Sequence, residues 1–90
     1  MPTYVEWDPN KEIINIIKHG VHFSEAATVL EDEYALTIED ILSNEQRFIT
    51  LGVSDAGRIL VVVYTYRGEV IRIISTRKAT ASERETYKER

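Results

Sequence analysis

Arginines crowd the closing third of the chain: Arg58, Arg67, Arg72 and Arg77, with Lys78 beside the last and Arg47 a little upstream. Guanidinium groups grip phosphate oxygens two at a time and stay charged at any working pH, so such a cluster is chemistry for a phosphodiester. Tyr64 and Tyr66 are interleaved with these bases. Cations alternating with aromatic faces suit single-stranded nucleic acid, whose phosphates meet the charges while its bases stack on the rings. A lone mid-strand arginine such as Arg72 also has a structural reading, as the partner of Glu6, Asp8 or Glu25, because an unpaired buried charge is costly. Both readings stand open.

A second cluster, Lys18-His19-Gly20-Val21-His22, puts an ammonium and two imidazoles near one helix end. As metal ligands the histidines are poorly arranged: Gly20 separates them and no His-Glu-x-x-His pattern exists. No metal site and no cofactor are expected. Histidine changes charge near neutrality and a lysine can lose its proton in a cationic setting, which makes Lys18 and His19 candidates for moving a proton. Basic groups at a helix C-terminus also oppose the negative end of its dipole, a structural role equally open to His19.

Several elements must position these groups. Residues 3–7 alternate weakly, as a short strand does. Asp8 is a good N-cap and Pro9 suits the first helical position, so a helix should run to about His19, with Ile13, Ile14, Ile16 and Ile17 as its apolar face and Gly20 closing it. Ser24 is placed to cap a second helix that buries Ala26, Ala27, Val29 and Leu30. Strands are expected over 34–39, 46–53, 58–66 and 69–76, the third being central and covered on both faces. A tight turn at Arg67-Gly68 joins the last two. On that register Val63 opposes Arg72 and Arg58 opposes Arg77, so Arg72 and Arg77 point to opposite faces unless the strand bulges. Thr80 with Glu83, or Ser82 with Glu85, forms a capping box that opens a last helix. The order predicts an α+β fold, with one antiparallel sheet of about four to five strands, two N-terminal helices and one C-terminal helix on one face.

At 90 residues the chain makes a single domain, 1–90, with one modest core. Lacking cysteine, it has no disulfide, thiolate zinc site or thiol nucleophile. No apolar run approaches the roughly 20 residues of a membrane helix, and MPTYVEWDPN does not read as a secretion signal, so a cytoplasmic protein with no membrane partner is expected. The net charge of −4 hides an asymmetry: residues 1–57 carry three bases against eleven acids, whereas residues 58–90 carry eight bases against four acids. One face should suit anions, and the other, including the all-acidic stretch 31–45, a basic partner.

Four stretches, EWDPNK at 6–11, KHGVHFSEAATVL at 18–30, GRILVVVYTYRG at 57–68 and IRIISTRKATASERETY at 71–87, resemble the BrnT toxins of bacterial type II toxin–antitoxin operons. The positions matching the family patterns are Trp7, Asp8, Lys11, Lys18, His19, Gly20, Phe23, Arg72, Ser75, Arg77 and Glu83; Thr76 stands where the pattern has alanine. The resemblance implies a RelE-like fold and a metal-independent endoribonuclease. It also implies a cognate antitoxin that represses the operon through a ribbon-helix-helix DNA-binding domain and joins the toxin in a hetero-oligomer. Such cleavage needs a base for the 2′-hydroxyl, a cation for the charged phosphorane and an acid for the leaving oxygen. Arginine is too basic to be the base. Arg72 and Arg77 therefore fall to charge stabilisation and Lys18 or His19 to proton transfer, with Arg47, Arg58, Arg67, Tyr64 and Lys78 as RNA-binding residues. The competing reading is a catalytically inactive relative that serves as an antitoxin-binding module.

Overall fold

Asp8 opens the first helix as expected: its carboxylate accepts from the Asn10 N–H at 2.9 Å, and Pro9 takes the first helical position. Residues 4–41 and 44–90 are described by a computed structural model. In chain order the elements are β1 (Val5–Glu6), α1 (Pro9–His19), α2 (Phe23–Val29), β2 (Leu36–Asp40), β3 (Arg47–Val53), β4 (Ile59–Arg67), β5 (Val70–Lys78) and α3 (Ala81–Lys88). Thr3, the first residue of the expected opening strand, lies outside the described residues.

The five strands form one sheet in the order β1-β5-β4-β3-β2. It is mixed, which corrects the all-antiparallel expectation: β1 runs parallel to β5, pairing Val5 with Ile71 and Glu6 with Arg72. The connection from β1 to β5 spans nearly the whole chain, which a parallel neighbour allows. On one face Leu60, Val62, Tyr64, Ile71 and Ile73 pack against Val21, Phe23, Ala26 and Val29 to form the core. Trp7 meets Phe23 edge to face, 6.2 Å between ring centres, an arrangement that aromatic quadrupoles favour.

Three local expectations change. The second helix is capped by His22 rather than Ser24, and the free N–H of Phe23 is taken by the Glu12 carboxylate of α1 at 2.9 Å. The isoleucine face of α1 is not buried: Ile13 is 56%, Ile14 57% and Ile17 80% exposed, while Asn15 is buried. The reason is position, since α1 packs against β5 near the edge of the sheet rather than over its centre. The β4–β5 turn is Gly68-Glu69, because Arg67 pairs with Val70. Gly68 has φ of 62°, whereas Glu69, like every described non-glycine residue, does not have a positive φ, the pattern of a type II′ hairpin turn.

Helix α3 opens with the Thr80–Glu83 capping box. It does not join the other helices on the core face: Glu83 and Thr86 border a hollow of about 240 Å³ on the opposite face, with Leu36, Ile38, Ile49, Leu51 and Val61. At its far end the Tyr87 hydroxyl donates to Asp32 at 2.5 Å.

Candidate active site

The register of β4 and β5 decides what the arginines can do together. Counting from the corrected turn, Thr65 pairs with Arg72 and Tyr64 with Ile73, but Val63 pairs with Ser75, so Ile74 is an extra residue, a β-bulge. Below the bulge Thr76 faces the core side and Arg77 returns to the face of Arg72. The two arginines and Ser75 thus share the face that the helical core leaves open. Two rungs complete it: Ile38, Ile49, Val63 and Ser75, then Leu36, Leu51, Val61 and Arg77.

Helix α1 brings the second cluster to this face. Its last turn carries Lys18 and His19, and Gly20 ends it in the left-handed region at φ 69°, donating its N–H to Ile16. Asn15 fixes the helix to the strand: its Oδ1 accepts from the Thr76 N–H at 3.1 Å and its Nδ2 donates to the Val21 carbonyl at 3.0 Å. Thr76 donates its hydroxyl to the Val61 carbonyl at 3.0 Å, so the departure from the family's alanine is accommodated as a satisfied buried polar group. One hollow, of about 170 Å³, is lined by Lys11, Ile14, Asn15, Lys18, His19, Ile74 and Ser75. A second, of about 290 Å³, is lined by His19, Ile49, Val61, Val63, Ser75, Thr76 and Arg77. His19 and Ser75 belong to both and join them into one groove.

Among the described residues four arginines are ion-paired. Arg77 meets Glu83 in a two-pronged pair at 2.8 and 3.0 Å, and the Arg77 hydrogen bond, with the Thr80 N–H, holds the Glu83 carboxyl down to about 2. Arg72 donates to Glu6 at 2.7 Å, one of the partners foreseen for it. Arg47 pairs with Glu45 at 3.1 Å. Arg58 binds Glu25 through Nε at 2.9 Å and Nη2 at 2.5 Å; the Arg58 hydrogen bond lowers the Glu25 pKa against the opposing effect of burial.

Two expected RNA-binding residues are therefore elsewhere. Arg58 lies on the helix side, where it ties α2 to the start of β4. Tyr64 is buried in the core, 2.8 Å from the Thr50 hydroxyl, and stacks on Phe48 with 5.8 Å between ring centres. Both have even numbers, Tyr64 within β4 and Arg58 just before it, and even positions of β4 face the core. Tyr66, half exposed, joins the same aromatic group at the hairpin end. Arg67 and Lys78 are exposed at the two ends of the hairpin, with no ion pair among the described residues. Ser75 and Lys11 line the groove; the resemblance singled out both positions, but spacing alone gave them no chemistry, since the facing of Ser75 depends on the bulge. Among the described residues no three His, Asp or Glu side chains gather as a metal site, and no helix is long and apolar enough to cross a membrane.

The architecture is that of a small α+β domain with an open sheet face bordered by lysine, imidazole, hydroxyl and guanidinium, groups whose chemistry suits an anion. The family model described as the ribonuclease toxin BrnT of type II toxin–antitoxin systems matches residues 7–83. The crystal structure of the Brucella abortus ribonuclease toxin BrnT superposes with a TM-score of 0.70 at 24% identity, covering 88% of this chain and 99% of that one. No curated protein matches the chain. The chain belongs to the BrnT family of ribonuclease toxins.

Proposed function

We propose that this toxin cuts RNA at a phosphate seated over the joined hollows, by attack of the 2′-hydroxyl on its own phosphate and without a metal ion. The observation that carries the reading is the β5 bulge, which returns Ser75 and Arg77 to the face of Arg72, where Ser75 borders hollows shared with Lys18, His19 and Arg77. The attack forms a bond from O2′ to phosphorus and breaks the bond to O5′. His19, shared by both hollows, takes the 2′-proton, and Lys18, which lines the adjoining hollow, protonates the departing oxygen. Arg77 stabilises the charge that builds on the phosphorane oxygens, and Arg72 supports it further along the face. Arg47, Arg67 and Lys78 steer flanking phosphates, while Ile49, Val61 and Val63 offer an apolar floor to a base or ribose. Arg58 and Tyr64 take no part.

The antitoxin, with its ribbon-helix-helix domain, is placed in this reading over the neighbouring apolar hollow. That hollow shares Ile49 and Val61 with the groove, so an occupant blocks RNA, and the acidic stretch 31–45 suits a basic partner segment. Toxin and antitoxin then form a cytoplasmic hetero-oligomer.

Purified protein tested on mixed RNA in the presence of a chelator should cleave. His19→Ala should lower the rate about 10²–10⁴-fold and Arg77→Ala about 10²–10³-fold, with native circular dichroism in both. Unchanged cleavage by both variants would remove these residues from the site. A folded wild type that binds the product of the adjacent gene yet cuts nothing would favour the inactive binding module.

A further inference from the structure

The Arg77–Glu83 pair occupies only part of the guanidinium. A guanidinium carries five N–H donors in one plane. Nη1 donates to Glu83 Oε1 and Nη2 to Oε2, and a further Nη1 contact goes to the Lys78 carbonyl at 3.3 Å. Three donors are thereby accounted for. The other two, Nε–H and the second proton of Nη2, lie side by side on one edge of the plane and meet no acceptor among the described residues. That edge is one a phosphate can take with two oxygens. Arg58 is the contrast, because Glu25 closes the same edge by binding Nε and Nη2.

Glu83 is itself fixed. Its Oε1 accepts from the Thr80 N–H at 2.8 Å, and its own N–H donates to the Thr80 hydroxyl at 3.1 Å. The carboxylate is thus part of the helix cap and cannot swing far from Arg77.

We propose that Glu83 is a positioning residue: it holds Arg77 by one edge so that the other is presented in a fixed orientation to the RNA phosphate over the His19–Ser75 groove. The inference rests on the reading of Arg77 given above. An arginine held in advance loses no side-chain freedom when the phosphate arrives, and its donors need not reorganise as charge develops. Partial neutralisation by Glu83 also weakens indiscriminate attraction to RNA in the ground state while leaving two directed donors for the transition state. The benefit should therefore appear in kcat rather than KM.

Steady-state cleavage of a single-stranded RNA oligonucleotide by Arg77→Ala, Arg77→Lys, Glu83→Gln and Thr80→Ala tests it, with urea unfolding of each. Gln is accepted at this position of a capping box, so Glu83→Gln should keep α3 while kcat falls up to about 100-fold and KM stays equal or drops. Arg77→Lys keeps the charge without the two edges and should lose kcat to a similar degree. Thr80→Ala removes the hydroxyl that accepts from the Glu83 N–H but keeps the backbone N–H that holds Glu83 Oε1, so the carboxylate stays on the guanidinium; it should unfold at lower urea with kcat and KM unchanged. Inactive Arg77→Ala with wild-type kcat in Glu83→Gln or Arg77→Lys would overturn the positioning role, as would equal kcat losses in Glu83→Gln and Thr80→Ala. Full activity of Arg77→Ala would instead overturn the reading of Arg77 on which the inference rests.

Discussion

Asn15 is the side chain that keeps the end of α1 against β5. Strand β1 is too short to cover its neighbour, pairing only with Ile71 and Arg72, and the Thr76 N–H further along finds Asn15 Oδ1 in place of a strand carbonyl. Replacing Asn15 by leucine keeps the volume but leaves the buried Thr76 donor and the Val21 carbonyl without their partner. An unsatisfied buried group costs about 1–3 kcal/mol, so Asn15→Leu should lower the urea unfolding free energy by at least that much. A loss below about 0.5 kcal/mol would mean that water replaces the amide. Reading the sequence inverted this helix: Ile13, Ile14, Ile16 and Ile17 outvoted one asparagine, because periodicity identifies an apolar stripe without saying whether a partner covers it. The charged residues were more legible. Glu6 was a foreseen partner for Arg72 and Glu25 lay in the same group, although its arginine proved to be Arg58.

At the level of elements, the order β-α-α-β-β-β-β-α followed from caps and turn residues, whereas the facing of β5 did not. Two consecutive isoleucines, Ile73 and Ile74, are alike to any pattern count, yet one packs in the core and the other is the bulge. A one-residue slip reverses every side chain below it, which is why the shared face of Arg72 and Arg77 could be stated only as a condition. Helix α3 is an element with few attachments. Beyond Arg77–Glu83 it is secured by Tyr87, whose hydroxyl donates to Asp32, while Asp32 also accepts from the N–H groups of Val53 and Tyr34 at 2.9 and 3.0 Å. Tyr87→Phe removes one hydrogen bond to a charged group, worth about 1.5–3 kcal/mol. Amide exchange in α3 should accelerate while that of β4, protected through global unfolding, changes only by the overall loss of stability. Equal acceleration everywhere would show that α3 does not open by itself.

Across the whole molecule these attachments share a dependence on pH. Glu25 links α2 to Arg58 and to Ser54, whose hydroxyl lies 2.7 Å away; Asp32 holds the end of α3, and Glu83 its beginning. All three carboxyls are lowered in the folded protein: Glu25 by Arg58, Asp32 by hydrogen bonds from Tyr87, Val53 and Tyr34 that outweigh its burial, and Glu83 to about 2 by Arg77. A carboxyl lowered on folding contributes its stability fully above its ordinary pKa, and that contribution disappears as pH falls toward the folded value. The Tyr87 hydroxyl is shifted the other way, raised by burial and by Asp32. Its contribution is complete below the ordinary tyrosine pKa of about 10 and is lost as pH rises beyond it. The urea midpoint should therefore be flat between about pH 5 and pH 9 and fall on both sides. Glu83→Gln should flatten the acid limb between about pH 4.5 and pH 2, and Tyr87→Phe should flatten the alkaline one. Because α3 is held at both ends by these groups, while α2 is buried in the core with the sheet through Phe23, Ala26 and Val29, acid should loosen α3 before α2 and β4. Far-UV circular dichroism that lost strand signal first on acidification would contradict that order.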